Sequence, residues 1–106
     1  MNKYCVVLVT CGNAKEAKRI AQSLLREKLA ACVNIIPRAD SIFYWNNKMS
    51  QERETMLLIK TRANLFTKLS TTVRKTHSYQ VPEIIALPII RGEDQYLDWL
   101  GKETTG

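Results

Sequence analysis

The sequence predicts an α+β sandwich in the order strand, helix, strand, strand, helix, strand, followed by a short C-terminal helix. Three observations predict it. A nearly unbroken apolar run opens the chain, one very long hairpin occupies its middle, and two amphipathic helical patterns each lie between strands. Two right-handed crossovers sharing one antiparallel sheet put both long helices on the same face. This is the ferredoxin-like βαββαβ arrangement, and 106 residues make it a single domain, 1–106.

The first strand is Tyr4-Cys5-Val6-Val7-Leu8-Val9-Thr10, apolar on both alternating faces as a central strand requires. It ends at Cys11-Gly12. Asn13 followed by Glu16 has the spacing of a helix cap with its capping-box partner, and Ala17, Ile20, Ala21, Leu24 and Leu25 then recur at helical spacing. From Ala30 to Thr61 the chain reads as a hairpin. One arm runs through Ile35, Ile36, Pro37 and Ile42 to Trp45, Asn46-Asn47-Lys48 turns it, and the return arm goes from Gln51-Glu52-Arg53-Glu54 into Met56-Leu57-Leu58-Ile59. Arms of roughly a dozen residues reach about 40 Å. That exceeds the ~27 Å diameter of a compact chain of this size, so a partner must cover the excess.

Asn64 is placed to cap a second helix, with Leu65, Phe66, Leu69, Thr72 and Val73 inward and an end near Thr76-His77. A loop to Pro82 leads into the fourth strand, Glu83 to Ile90, in which Pro88 must sit at an edge, a bulge or the strand end. Gly92-Glu93-Asp94 starts the last helix, carrying Tyr96, Leu97 and Leu100, and Lys102 to Gly106 is expected to fray. No element in this order covers the second face of the sheet. Its apolar residues predict a homo-oligomer packed sheet to sheet.

Composition narrows the function. At 45% hydrophobic and 25% charged, with apolar runs far below about twenty residues, no segment is expected to span a membrane. The N-terminus has a single Lys and no small-residue cleavage site, and Cys5, Cys11 and Cys32 are an odd set without Cys-x-x-Cys spacing. The expectation is a reduced protein of the cytoplasm. The net charge of +6 falls on helix exteriors without interleaved aromatics, and the third strand lacks the aromatics of an RNA-recognition sheet. No nucleic-acid partner is expected. One histidine supports no Ser-His-Asp set, no Gly-rich phosphate loop is present, and no catalytic constellation emerges.

Five segments, in order, carry a resemblance. They are Glu27-Lys28-Leu29-Ala30-Ala31-Cys32-Val33-Asn34, Ser41-Ile42-Phe43-Tyr44-Trp45, Leu58-Ile59-Lys60-Thr61, Tyr79-Gln80-Val81-Pro82-Glu83-Ile84 and Tyr96-Leu97-Asp98-Trp99-Leu100. Together they resemble the CutA family of divalent-cation tolerance proteins from end to end. The resemblance implies a tight homotrimer, similar in architecture to PII-type signalling proteins, associated with Cu2+ or another divalent cation. Family members with assigned copper ligands resemble a pattern of one cysteine late in the first strand and two adjacent histidines before Tyr-x-x-Pro-Glu. Here those places hold Val9 and Thr76-His77, which leaves His77 and Cys11 as the metal candidates. Cys32, Lys60, His77, Tyr79 and Glu83 are candidates for an intersubunit pocket, which could take a small anionic ligand. Tyr44, Trp45 and Trp99 are candidate trimer contacts.

Overall fold

The computed structural model describes residues 2–106. Strand β1 is Tyr4–Cys11, helix α1 Ala14–Arg26, β2 Cys32–Trp45, β3 Lys48–Arg62, α2 Phe66–Thr76, β4 Ile84–Pro88 and α3 Asp94–Glu103. The sheet order is β2-β3-β1-β4, antiparallel at every junction. This is the predicted α+β topology.

Residue chemistry explains most boundaries. Asn13 caps α1, its side chain accepting from the Glu16 amide at 2.8 Å, and the stripe Ala17, Ile20, Ala21, Leu24 is buried. The hairpin turns on two residues, Asn46 and Asn47, both left-handed at φ 52° and 64°, a conformation that Asn tolerates. Lys48 already pairs with Trp45, so it belongs to β3 and not to the turn. The register of β2 shifts between Ile36 and Ala39, where Pro37 lacks a donor and Arg38 takes φ 64°. The arms are long enough to stretch the molecule to 45 × 26 × 22 Å.

Three local expectations change. Asn64 does not cap α2: Ala63–Leu65 forms a 3-10 turn, anchored by the Ala63 amide on the Lys3 carbonyl, and the helix begins after it. β4 is shorter than Glu83 to Ile90: it runs from Ile84 to Pro88, and one further backbone bond joins the Ile89 amide to the Tyr4 carbonyl at 3.0 Å. The C-terminal residues are tied down. The Arg62 guanidinium donates to the Gly101 carbonyl at 2.7 Å and to the Thr104 carbonyl at 3.1 Å, and the Gly106 amide donates to the Lys28 carbonyl.

The core lies on one face. Cys5, Val7, Val9 and Cys11 of β1 and Leu57 and Ile59 of β3 pack under Ile20 and Leu24 of α1 and Leu69 and Val73 of α2. The alternate residues form the opposite face. There Val6 stands beside Leu87 and Lys60, and Leu8 beside Ile85 and Leu58. Ile85 and Leu87 are 48% and 51% exposed. Tyr44, Trp45 and Met49 are exposed on the projecting hairpin, and Trp99 on α3.

Candidate functional site

The C-terminal end of β1, the first turn of α1 and the loop after α2 converge. Cys11 is the last residue of β1 and fully buried; Glu16 lies one turn into α1; His77 follows the last turn of α2. One donor atom from each lies within 4.8 Å of the others. The two sequence-predicted metal candidates, His77 and Cys11, are therefore neighbours in space. Glu16 completes the group.

Glu16 is where sequence reasoning missed. As a capping-box partner its carboxylate belonged to the helix start. Instead it is 4% exposed and accepts from the Ser78 amide at 2.7 Å and the Ser78 hydroxyl at 3.1 Å. The signal that could have found it is periodicity: Glu16 is four residues before Ile20 and eight before Leu24, on the buried stripe.

The imidazole is held at both nitrogens. Tyr79 N–H is an unambiguous donor to Nδ1 at 3.0 Å, so Nδ1 is the unprotonated nitrogen and Nε2 carries the hydrogen that meets the Thr10 carbonyl at 2.7 Å. The Tyr79 ring leans on the imidazole at 4.7 Å between centroids, and its hydroxyl donates to Glu54 at 2.8 Å. Thus three consecutive loop residues, His77, Ser78 and Tyr79, are each tied to β1, α1 or β3.

Cys11 and Tyr79 hold their protons more tightly than usual. Burial, and then the Glu16 and Glu54 carboxylates, push the Cys11 thiol up to about 12. Tyr79 is also raised, by burial first and then by its hydrogen bond to Glu54. Cys11 is therefore a thiol at neutral pH, and it becomes a metal ligand only by giving up that proton.

Cys32 and Lys60 form a second group. They face each other across β2 and β3, with the ammonium 3.9 Å from the sulfur. The nearby Tyr96 phenol is raised by burial and then by Cys32. Cys11 is level with Thr55 and Cys32 with Lys60, five residues along β3, or about 17 Å. Within one chain, then, Cys32 and Lys60 stand apart from His77 and Tyr79, and Glu83 is exposed just before β4. The five do not line one pocket within the chain.

The family model for the CutA1 divalent ion tolerance protein matches residues 5–103. This chain belongs to the CutA1 family. Among its relatives, the divalent-cation tolerance protein CutA of Thermus thermophilus is 48% identical over 101 residues, covering 95% of this chain and 97% of that protein. The chloroplastic protein CutA of Arabidopsis thaliana is 48% identical over 99 residues, covering 93% of this chain and 54% of that protein. The chain therefore spans nearly all of the bacterial relative and about half the length of the plant one. Two solved CutA1 structures share the fold. That from Thermus thermophilus has a TM-score of 0.93 at 46% identity, with 95% of this chain and 98% of that one covered. That from Oryza sativa has a TM-score of 0.94 at 46% identity, with 97% and 94% covered. The βαββαβ order with its long hairpin is thus the family's architecture.

Proposed function

We propose that this CutA1-family chain is the subunit of a cytoplasmic homotrimer that binds a divalent cation, copper best of all, at Cys11, Glu16 and His77. The convergence of those three donors within 4.8 Å carries the reading. A thiolate, a carboxylate and an imidazole suit a borderline cation, and Cu2+ stands highest in the divalent affinity order. Ligands bonded at 2.0–2.3 Å stand about 3.5 Å apart, so the group has to contract by roughly 1 Å to hold an ion. His77 would bind through Nδ1 in place of the Tyr79 amide, while its Nε2–H on Thr10 keeps the ring oriented. Bound there, the cation would supply charge and a Lewis-acid centre to a buried site.

The trimer reading is supported by the half-exposed apolar face around Ile85 and Leu87 and by the hairpin that outreaches its own core. Three free cysteines, two of them buried, suit a reducing compartment. Titration calorimetry with Cu2+ on the oligomer, with its mass measured by light scattering, tests the proposal. A submicromolar site at one per subunit, lost in His77→Ala, supports it. Weak binding indifferent to the substitution overturns it.

One observation favours a second reading, a PII-like module binding a small anionic metabolite between subunits. Lys60 is half-buried, and among the described residues no carboxylate lies within ion-pair distance of its ammonium. Protection against thermal unfolding by a nucleotide, abolished by Lys60→Met, would select this reading over the first.

A further inference from the structure

The chain's net charge of +6 is not spread over the molecule. Eight of the sixteen cations lie on α1, on the residues following it to Lys28, and on α2: Lys15, Lys18, Arg19, Arg26, Lys28, Lys68, Arg74 and Lys75. The same stretch holds two of the ten acids, Glu16 and Glu27, so the remaining residues balance eight cations against eight acids and the helix layer carries all of the surplus. Folding sharpens this further. Glu16, which on the sequence offsets Lys15 and Lys18, is turned inward and bound to Ser78, leaving Glu27 as the layer's one exposed carboxylate.

The cations are also aligned. Lys15, Lys18, Arg19, Gln22 and Arg26 follow helical spacing along the outer side of α1, and Lys68, Thr71 and Lys75 do the same on α2, with Arg74 at the margin. The inward sides are fixed by Ile20 and Leu24 and by Leu69 and Val73, so both stripes face solvent. Among the described residues, the carboxylate partners that do exist join Lys28 to Glu103 and Arg53 to Asp40; Lys15, Lys18, Arg19, Arg26, Arg74 and Lys75 have none. A shallow groove lined by Arg74, Lys75, Tyr79 and Gln80 extends the α2 stripe at its C-terminal end.

We infer that the outer face of α1 and α2 is a phosphate-backbone surface that takes double-stranded nucleic acid without regard to sequence. This reverses the sequence-based expectation of no nucleic-acid partner, and it is independent of the cation site. A 13-residue helix is about 20 Å long, and a duplex offers one charge per ~1.7 Å, so two adjacent stripes match a run of phosphates. The other polyanions fit less well. Single strands are held by stacking on free aromatics; the stripes have none, and Tyr79 at the end groove already leans on His77 and donates its hydroxyl to Glu54. A bilayer surface takes up apolar side chains beside the cations, and the large exposed apolar residue of this layer is Leu25 alone.

The test is fluorescence anisotropy of a labelled 20-base-pair DNA duplex of arbitrary sequence with the intact oligomer, across 50 to 200 mM salt. Four to five phosphate contacts give a slope of log K on log salt near −4, a loss of a few hundred-fold over that range. The variant Arg19→Ala/Arg74→Ala changes exposed, unpaired positions. It is expected to keep its circular dichroism spectrum and to reduce the slope by about 1.8. A second duplex of unrelated sequence is expected to bind equally. Three results would overturn the inference: no binding at 50 mM salt, binding unchanged in that variant, or phosphatidylserine vesicles bound where the duplex is not.

Discussion

Replacing His77 by Ala removes the bond that joins the end of β1 to the loop after α2 and a second bond that braces the loop itself. The imidazole donates from Nε2 to the Thr10 carbonyl at 2.7 Å and accepts from the Tyr79 amide at Nδ1 at 3.0 Å. Each bond is worth about 1 kcal/mol net, and leaving the buried Thr10 carbonyl without its partner adds a desolvation cost of similar size or larger. The expected loss is therefore roughly 2–4 kcal/mol, read as a shift of the urea midpoint at fixed protein concentration. Hydrogen exchange should report the same event locally, with faster exchange at the Tyr79 amide and little change at Val7 or Ile59 in the core. His77→Gln can satisfy one of the two partners, so it should recover about half of the loss. A shift below about 0.5 kcal/mol for His77→Ala, with Tyr79 protection unchanged, would refute the claim that this ring locks the loop.

Stability should fall as pH rises from 9.0 to about 12. In that window folded Cys11 keeps a proton that the unfolded chain releases, and each pH unit costs up to about 1.4 kcal/mol. Cys5 and Tyr79 are raised in the same direction, so urea midpoints at pH 8 and pH 10.5 should differ less in Cys11→Ala without becoming equal. Arg38→Gly relieves a left-handed residue at the β2 bulge and should stabilise by about 1 kcal/mol, measured by thermal unfolding. Gly101→Ala should destabilise, because the added Cβ would stand 2.8 Å from the Tyr4 hydroxyl and 3.0 Å from the Arg62 guanidinium that holds Thr104; Arg62→Ala should show a similar loss.

Much of the fold was legible because local and periodic signals agreed. The apolar run of β1, the Ala17-Ile20-Ala21-Leu24 stripe and the Asn46-Asn47 turn each specify one conformation with little help from the rest of the chain. The start of α2 was less legible. Asn64 is a good cap by type, but the backbone bond from Ala63 to Lys3 draws the chain into a 3-10 turn first. The site was legible only in part. His77 and Cys11 stand out by residue type, but their meeting depends on α2 returning beside β1, a tertiary fact with no local trace. Glu16 was hidden by ambiguity: the spacing that makes a capping box also puts a carboxylate on the buried stripe, and only Ser78 decides between them. Glu16 likewise counts toward the surface charge of the helix layer in the sequence but is buried in the fold.

The cation reading stands on Cys11 becoming a ligand, and a Co2+ titration followed by absorption tests this most directly. Thiolate coordination produces a sulfur-to-metal charge-transfer band. That band is expected at one Co2+ per chain, stronger as pH rises, retained in Cys32→Ser and lost in Cys11→Ser. A band that survives Cys11→Ser and disappears in Cys32→Ser would contradict it and move the site to the Cys32–Lys60 edge.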